Sequence, residues 1–409
     1  MGKKIRIGVF GAGRGHTMVS VLAGHPDAEL TAVCDSWRPA LEGCRKKAEE
    51  HGAKVELYQD FDRFLEHDMD AVVLANYANE HAPYAVRCLR SGRHVVSEVL
   101  CMQNMAEAVE LIEAAEASGR VYTYAENYSY FRTTAEMRKI YRRGDIGEFQ
   151  HGEGEYVHDC SSAWPQLTYG DRDHWRNLTA APFYCTHSVG PVMTVTGLRP
   201  VKVAGFENPN LNNRKHGKLC GDGCMLCVQF ENGATGKFLP WNNGWRRSQE
   251  AIWYCIYGTN GQMETDRFGE GADMLHLWIQ DKGEDRYYKP EFADTGELAK
   301  SVSGHGGSDF YTMQYFLDAI LGREGGENAI DVYTAVDMTM VGVLGYRSIL
   351  EGSAPIPCPD LRIKANRDAV RNDRLCADPR AEGHGPACSW GDPEIPDSVY
   401  EETRRQQQR

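Results

Sequence analysis

The chain has 409 residues, 42% of them hydrophobic and 25% charged, an ordinary globular balance with length for two or three domains. Its formal net charge of −13 disfavours nucleic acid and anionic membrane surfaces as partners. No apolar run reaches the ~18 residues of a membrane span, and "MGKKIRIGVF" runs straight into a strand pattern, so neither a transmembrane helix nor a secretory or twin-arginine signal is expected.

Residues 4–10, "KIRIGVF", form a short apolar run that ends at "GAGRGH". Similar runs recur at "AELTAVC", "DAVVLA", "RHVVSEV" and "RVYTYAE", with helical patterns between them. The clearest helix is 104–118, with Met105, Ala108, Val109, Ile112 and Ala115 on one face and Gly119 as its C-cap. This alternation predicts a parallel, doubly wound sheet. Gly11, Ala12 and Gly13 follow the first strand, where glycines permit a tight turn and let a pyrophosphate reach backbone N–H groups at a helix N-terminus. Asp35 closes the second strand about 20 residues on, placed to hold ribose hydroxyls and repel a 2′-phosphate. The expected cofactor is therefore NAD rather than NADP, although Arg38 nearby works against that choice. The third glycine position is His16, with Gly15 one residue early, which predicts a first helix that starts late. Arg14, Asn76, His81 and Glu98 complete the candidate cofactor set; for His81 a polar contact at a helix N-terminus is an equal alternative.

From about residue 148 the pattern changes. "EFQHGEGEYVH", "VKVAGFEN", "GCMLCVQFENGATGKFLP", "EAIWYCIYGTNGQMETD" and "MLHLWIQD" read as strands joined by Gly/Asn turns. The expectation is an α/β Rossmann domain (1–126) followed by an α+β domain (127–354) with a large, mostly antiparallel sheet. Helices over 133–143, 308–321 and 333–350 cover one sheet face, and the other face supports a homodimer or homotetramer, because "AIWYCIY" is apolar on both sides. Residues 355–409 read as a partly irregular arm ending in a disordered "RRQQQR". Thirteen cysteines, several inside apolar runs (Cys34, Cys227, Cys255), predict reduced thiols and a cytoplasmic protein. Cys220, Cys224 and Cys227 have a spacing that can ligate an iron–sulfur cluster, but "MLCVQF" as a strand puts the last two on opposite faces, so no metal is expected.

In "EGEYVHD", strand alternation puts Tyr156 and His158 on one face. A phenol beside an imidazole suits proton transfer or sugar binding better than a core.

The motif order, a Rossmann pattern followed by "SEVLC" at 97–101, "GDIGEFQHGEGEY" and "GHGGSDF", resembles the Gfo/Idh/MocA superfamily of NAD(P)-dependent sugar oxidoreductases over roughly residues 4–350. That superfamily usually has Glu-Lys-Pro where this chain has Glu98-Val99-Leu100, so the acid/base lysine is absent. A smaller branch, the NAD-dependent glycosidases that include bacterial α-N-acetylgalactosaminidases, is similar in this departure. "EYVHD" matches its Tyr-x-His-Asp strand at Tyr156, His158 and Asp159. "AENY" supplies Glu126, and "FYCTHSVGPV" supplies His187, with Cys185 in place of the branch's proline. The segment between His158 and His187 is shorter than in that branch, so the exact substrate does not carry over. The resemblance implies cleavage of a glycoside by C3 oxidation, loss of the C2 proton, expulsion of the C1 group, water addition and re-reduction. It implies that Tyr156 and His158 handle the C3 hydroxyl or C2 proton, that His187 protonates the leaving oxygen or activates water, and that Glu126 orients a histidine or holds hydroxyls. Imidazoles suit such work because they titrate near neutrality. Trp175, Tyr184 and His305 are candidate substrate contacts; Trp164, Trp241 and Trp245 also lie in loop-like segments where rings can stack on sugars. The alternatives are an NAD-dependent sugar or glycoside 3-dehydrogenase, and a non-enzymatic NAD or sugar sensor.

Overall fold

The computed structural model describes residues 4–244, 251–268, 271–291 and 305–408. The chain forms two compact units: the described residues of 1–103, 107–131 and 292–336, and those of 104–106, 132–291 and 337–409. These limits differ from the sequence boundaries. A late segment returns to the first unit, and the C-terminal arm belongs to the second.

The first unit is built on strands β1 (Ile5–Phe10), β2 (Ala28–Cys34), β3 (Glu56–Tyr58), β4 (Ala71–Leu74), β5 (His94–Ser97) and β6 (Tyr122–Tyr124). They pair in parallel in the order β3-β2-β1-β4-β5-β6. Buried runs such as Val72–Leu74 and Val95–Val96 are apolar because both sheet faces are covered. The covering helices are α1 (Ala12–Gly24), α2 (Arg38–Glu50), α3 (Phe61–Leu65), α4 (His81–Arg90) and α5 (Met105–Ser118), the last followed by Gly119 at φ +60°. The late start expected for α1 is not found. A Cβ on Gly15 would lie 2.7 Å from Val9 Cγ1, so Gly15 provides the close helix–strand packing usually given by the third glycine. The helix can therefore begin at Ala12, and His16 is left exposed to solvent.

The second unit contains α6 (Arg132–Arg142), α7 (Trp164–Thr168), α8 (Thr186–Thr196) and a nine-stranded sheet. Its strands are β7 (Phe149–His158), β8 (Pro200–Glu207), β9 (Cys224–Phe230), β10 (Thr235–Asn242), β11 (Ile252–Gly258), β12 (Gly261–Thr265), β13 (Leu275–Ile279), β14 (Glu284–Tyr288) and β15 (Ile356–Pro357). The order is β14-β13-β12-β11-β7-β10-β9-β8-β15, antiparallel except for the parallel pair β7/β10. Cys224 is buried and Cys227 exposed on β9, as the strand reading requires.

Gly152, Gly154, Tyr156 and His158 share one face of β7, and α8 lies against it. A Cβ on Gly154 would stand 2.0 Å from the Ser188 carbonyl oxygen, and one on Gly152 would stand 2.9 Å from Val192 Cγ1. The opposite face is not the bare apolar surface expected from "AIWYCIY". Glu153 pairs with Lys237, Glu155 pairs with Arg267, and the Arg267 guanidinium covers the Trp253 ring at 4.5 Å. Tyr257 and Trp278 are exposed on the outer strands.

Three more helices follow: α9 (Ser308–Leu321), α10 (Val332–Leu350) and α11 (Lys364–Val370). Met313, Phe316 and Leu317 of α9 join Met18, Val19 and Leu22 of α1 in the core of the first unit. The chain end, expected to be disordered, is a helix, α12 (Asp397–Gln407). Side chains dock it: Tyr400 donates to the Gly217 carbonyl at 2.9 Å, Arg404 donates to the Gly170 carbonyl at 2.6 Å, and Arg172 stacks on Tyr400. The polar composition of the arm hid these few anchors. Among the described residues no helix is long and apolar enough to cross a membrane.

Gly154→Ala forces its new methyl into the α8 backbone, which cannot swing aside as a side chain could. It should destabilise the protein by about 1–3 kcal/mol, the cost of an overpacked core. Gly43→Ala, inside α2 with open space around it, should be neutral or stabilising by up to about 1 kcal/mol. Urea denaturation of the two variants checks the contrast; equal midpoints would remove the argument for a glycine track.

Candidate active site

In the first unit the loop after β1 is shaped for close approach. Gly11 has φ +97°, and a Cβ there would sit 2.3 Å from the Ala75 backbone. Among the described residues nothing lies within 4 Å of a Cβ position at Gly13, and Gly11, the N-cap residue of α1, has no side chain of its own to cap the helix. The Asp35 carboxylate accepts the Ala12 N–H at 2.7 Å and the Trp37 N–H at 2.8 Å, tying the end of β2 to the start of α1. Asn76 Oδ1 is buried with no hydrogen-bond partner among the described residues, an acceptor suited to a ligand hydroxyl or amide. A glycine turn at the start of α1, a carboxylate at the end of β2 and a buried acceptor after β4 fit an NAD-type dinucleotide.

His81 begins α4 and is buried. Its Nδ1 meets the Leu100 carbonyl at 2.9 Å and its Nε2 meets the Asn76 carbonyl at 3.2 Å. Burial lowers its pKa to about 4, although these carbonyls favour the proton. As a neutral ring it donates to one of these two carbonyls and only packs against the other, between the loop after β4 and the segment after β5. Glu98 lies 2.8 Å from Arg14 Nε. Arg14 also makes a two-pronged pair with Asp309, at 2.6 and 3.2 Å, and His305 Nδ1 lies 3.0 Å from the same carboxylate. Asp309 is the residue that the sequence reading missed in "GHGGSDF", where only His305 stood out. Burial pushes its carboxyl up, but the hydrogen bond from His305 and the charge of Arg14 hold it at about 2. Glu126 is buried and caps the turn Asn127–Tyr130, accepting the Tyr128 N–H at 3.3 Å; the Tyr128 ring lies 6.2 Å from that of His305.

In the second unit Tyr156, His158 and His187 come together. The Tyr156 hydroxyl and His158 Nδ1 are 2.9 Å apart, and the Tyr156 and His187 rings have centroids 4.6 Å apart. His187 opens α8, and its carbonyl accepts the Tyr254 hydroxyl at 2.6 Å. Tyr184 stacks on His187 at 5.7 Å, and its hydroxyl accepts Arg176 Nη1 at 3.0 Å. Arg176 and Cys160 were not picked out from the sequence. The Cys160 thiol lies 3.3 Å from His158 Nδ1, and burial raises its pKa. Trp175, expected to stack on substrate, is buried, with the Arg176 guanidinium 4.5 Å from its ring. It serves as a platform for Arg176. Trp164 is also buried, its Nε1 donating to Asn177, while Trp241 alternates to the β10 face opposite Pro240 and Asn242. Trp245 lies outside the described residues.

Because the Asp309 carboxyl is held below its usual 3.8, its stabilisation is complete above that value and is lost as pH falls through about 2. A shift of nearly two units corresponds to roughly 2 kcal/mol. The stability advantage of the wild type over Asp309→Asn should shrink by about 1 kcal/mol between pH 5 and pH 3. Urea midpoints at the two pH values measure it, and a constant gap would contradict the Arg14–Asp309–His305 arrangement.

Residues 5–126 match the Gfo/Idh/MocA model of an oxidoreductase family with an NAD-binding Rossmann fold, and residues 221–365 match the glycosyl hydrolase 109 C-terminal domain. A glycosyl hydrolase family 109 protein of Solibacter usitatus is 27% identical over 394 residues, covering 87% of this chain and 88% of the relative. An α-N-acetylgalactosaminidase of Shewanella oneidensis is 25% identical over 399 residues, covering 87% and 84%. Among solved structures, levoglucosan dehydrogenase with NADH and L-sorbose superposes with a TM-score of 0.69 at 16% identity, covering 88% of this chain and all of the other. An aldose-aldose oxidoreductase of Caulobacter crescentus gives 0.68 at 18% identity, covering 87% and 100%. The structural likenesses show the shared fold. The chain is an enzyme of the Gfo/Idh/MocA type that joins this family's NAD-binding Rossmann domain to the C-terminal domain of glycosyl hydrolase family 109.

Proposed function

We propose that this NAD-dependent glycosidase cleaves its substrate by transient oxidation at sugar C3, elimination across C2 and C1, addition of water and re-reduction. The observation that carries the reading is the Tyr156–His158–His187 group, found in a chain with Val99 where the related dehydrogenases have a lysine. NAD+, when bound, supplies the hydride acceptor and gives the hydride back, so no net NADH forms. Each of the other steps moves a proton. His158 Nδ1, when unprotonated, accepts the Tyr156 O–H and lets the phenol pass on the proton of the C3 hydroxyl. Once His158 has released that proton to solvent, the same pair can take the C2 proton, which the neighbouring ketone makes acidic, and it returns protons to C2 and to the C3 oxygen as water adds and the ketone is re-reduced. His187, set on the first turn of α8, protonates the departing C1 oxygen and then activates the water that replaces it. The paired carboxylates of ordinary glycosidases are not required.

The reading includes a reducing compartment, the cytoplasm, because all thirteen cysteines are free thiols. It also includes a homodimer or homotetramer built on the outer face of the large sheet, where Tyr257 and Trp278 are exposed. Sedimentation at micromolar concentration should show an oligomer, and a monomer alone would contradict this part.

Cleavage in D2O should place deuterium at C2 of the released sugar without accumulating NADH. Full retention of the original hydrogen at C2 would count against elimination through a solvent-exchanging base, and stoichiometric NADH without cleavage would make the protein a dehydrogenase. His158→Ala and His187→Ala should each lower kcat/KM by about 10²–10⁴-fold. Val99→Ala should cost far less, since it removes no proton-handling group.

A further inference from the structure

Lys218 is 1% exposed, yet its ammonium forms no ion pair or hydrogen bond with the described residues; its one contact of note is the Trp164 ring, 5.7 Å from Nζ. Burying an ammonium without a counter-charge is costly, and protein interiors normally supply a carboxylate. Here the position is held firmly. Lys218 follows Gly217, whose carbonyl is clamped by Tyr400, and the Lys218 N–H donates to the Asn213 carbonyl at 3.1 Å. The Asn213 side chain in turn accepts Asn243 Nδ2 at 2.9 Å, and the Asn243 N–H donates to the His158 carbonyl at 2.8 Å. A short chain of hydrogen bonds thus ties Lys218 to the catalytic strand. Asn243 Oδ1 is buried and without a hydrogen-bond partner among the described residues.

Arg176 is a second cation of the same kind. Its guanidinium is engaged by the Tyr184 hydroxyl and by aromatic faces, with no carboxylate at ion-pair distance among the described residues. The Trp164 ring that faces Lys218 Nζ donates its Nε1 to Asn177, the residue after Arg176, and the Cys160 thiol touches His158. Asp159, whose Oδ1 accepts the Ser161 N–H at 3.0 Å, keeps its charge but forms no ion pair with either cation. Among the described residues, then, two cations near the Tyr156–His158–His187 group have no carboxylate at ion-pair distance, and an anionic ligand would supply the counter-charge.

We propose that the sugar this enzyme acts on carries an anionic oxyacid group, a carboxylate or a sulfate ester, and that Lys218 together with Arg176 binds it beside His158. The inference rests on the glycosidase reading for the reaction but not for the binding. It assigns a substrate class, and it makes Lys218 a specificity-determining residue.

The test uses the NAD+-loaded enzyme with 4-nitrophenyl uronides, 6-O-sulfated hexosides and neutral hexosides of matched configuration, both anomers of each. Calorimetry with the corresponding free sugars gives a readout independent of turnover. At least one anionic class should exceed its neutral counterpart by tenfold or more in kcat/KM and in affinity, and the uronide and sulfate arms tell which oxyacid is meant. Lys218→Met should reduce that preference at least tenfold and Lys218→Arg should keep most of it; a merely structural lysine would lower all substrates alike. Should the methionine variant fail to fold, the wild-type preference and the arginine variant decide. Cleavage of neutral glycosides with no anionic preference would overturn this inference and leave the glycosidase reading intact. Lys218-dependent binding of anionic sugars with no glycoside cleaved would do the reverse. Neither cleavage nor preferential binding would overturn both.

Discussion

The arrangement of the second unit depends on a backbone constraint, the absence of side chains at Gly152 and Gly154. With those positions empty, α8 can rest its backbone directly on β7, and a methyl at residue 154 would collide with the Ser188 carbonyl at 2.0 Å. This approach brings His187, on the first turn of the helix, against the ring of Tyr156 two residues further along the same strand face. Tyr254 on the neighbouring strand β11 fixes the His187 carbonyl from the side. The Tyr156–His158–His187 group is thus placed by a helix–sheet contact rather than by a loop, which is the more precise way to hold side chains in a fixed mutual geometry.

The first unit solves a different problem, holding charge in a buried place. Arg14 is shared between Glu98 and Asp309, and His305 supports the Asp309 carboxylate from the other side. Removing one member would leave the others uncompensated, which is why such clusters resist change even when their net contribution to stability is modest. Asp309 and Glu98 come from distant parts of the chain, so the cluster also stitches the returning helix α9 to the Rossmann core. His81 lies between two loops as a neutral ring, its burial outweighing the two carbonyls that would favour a charge. Polar groups in this unit fix loop positions around the cofactor region.

The two units therefore divide the labour chemically. The first carries the NAD-binding Rossmann domain, with the Gly11 turn into α1, Asp35 at the end of β2 and, among the described residues, an unpartnered acceptor at Asn76. The second carries the phenol and imidazoles, with aromatic platforms that hold Arg176 in place. Trp175, a ring type that can stack on sugars, is instead buried here with the Arg176 guanidinium 4.5 Å from its ring.

Much of this was legible in the sequence by itself, because it depends on local patterns. Alternating apolar runs and helical periods define the parallel sheet; Gly11, Gly13 and Asp35 mark the cofactor loop; strand alternation puts Tyr156 and His158 on one face. What required the tertiary structure were contacts between segments far apart in the chain, for which periodicity carries no signal. Gly15 taking over the role of the third glycine, Asp309 meeting Arg14, the parallel pairing of β7 with β10, and the docking of α12 through Tyr400 all belong to this class. Lys218 belongs to it most clearly. In the sequence it is one lysine among surface-like neighbours, "NNRKHGKLC", and only the fold buries it with no carboxylate at ion-pair distance among the described residues. Local patterning determines which elements form, whereas the desolvation and partnering of a charge depend on everything packed around it, and that is decided only when the chain is folded.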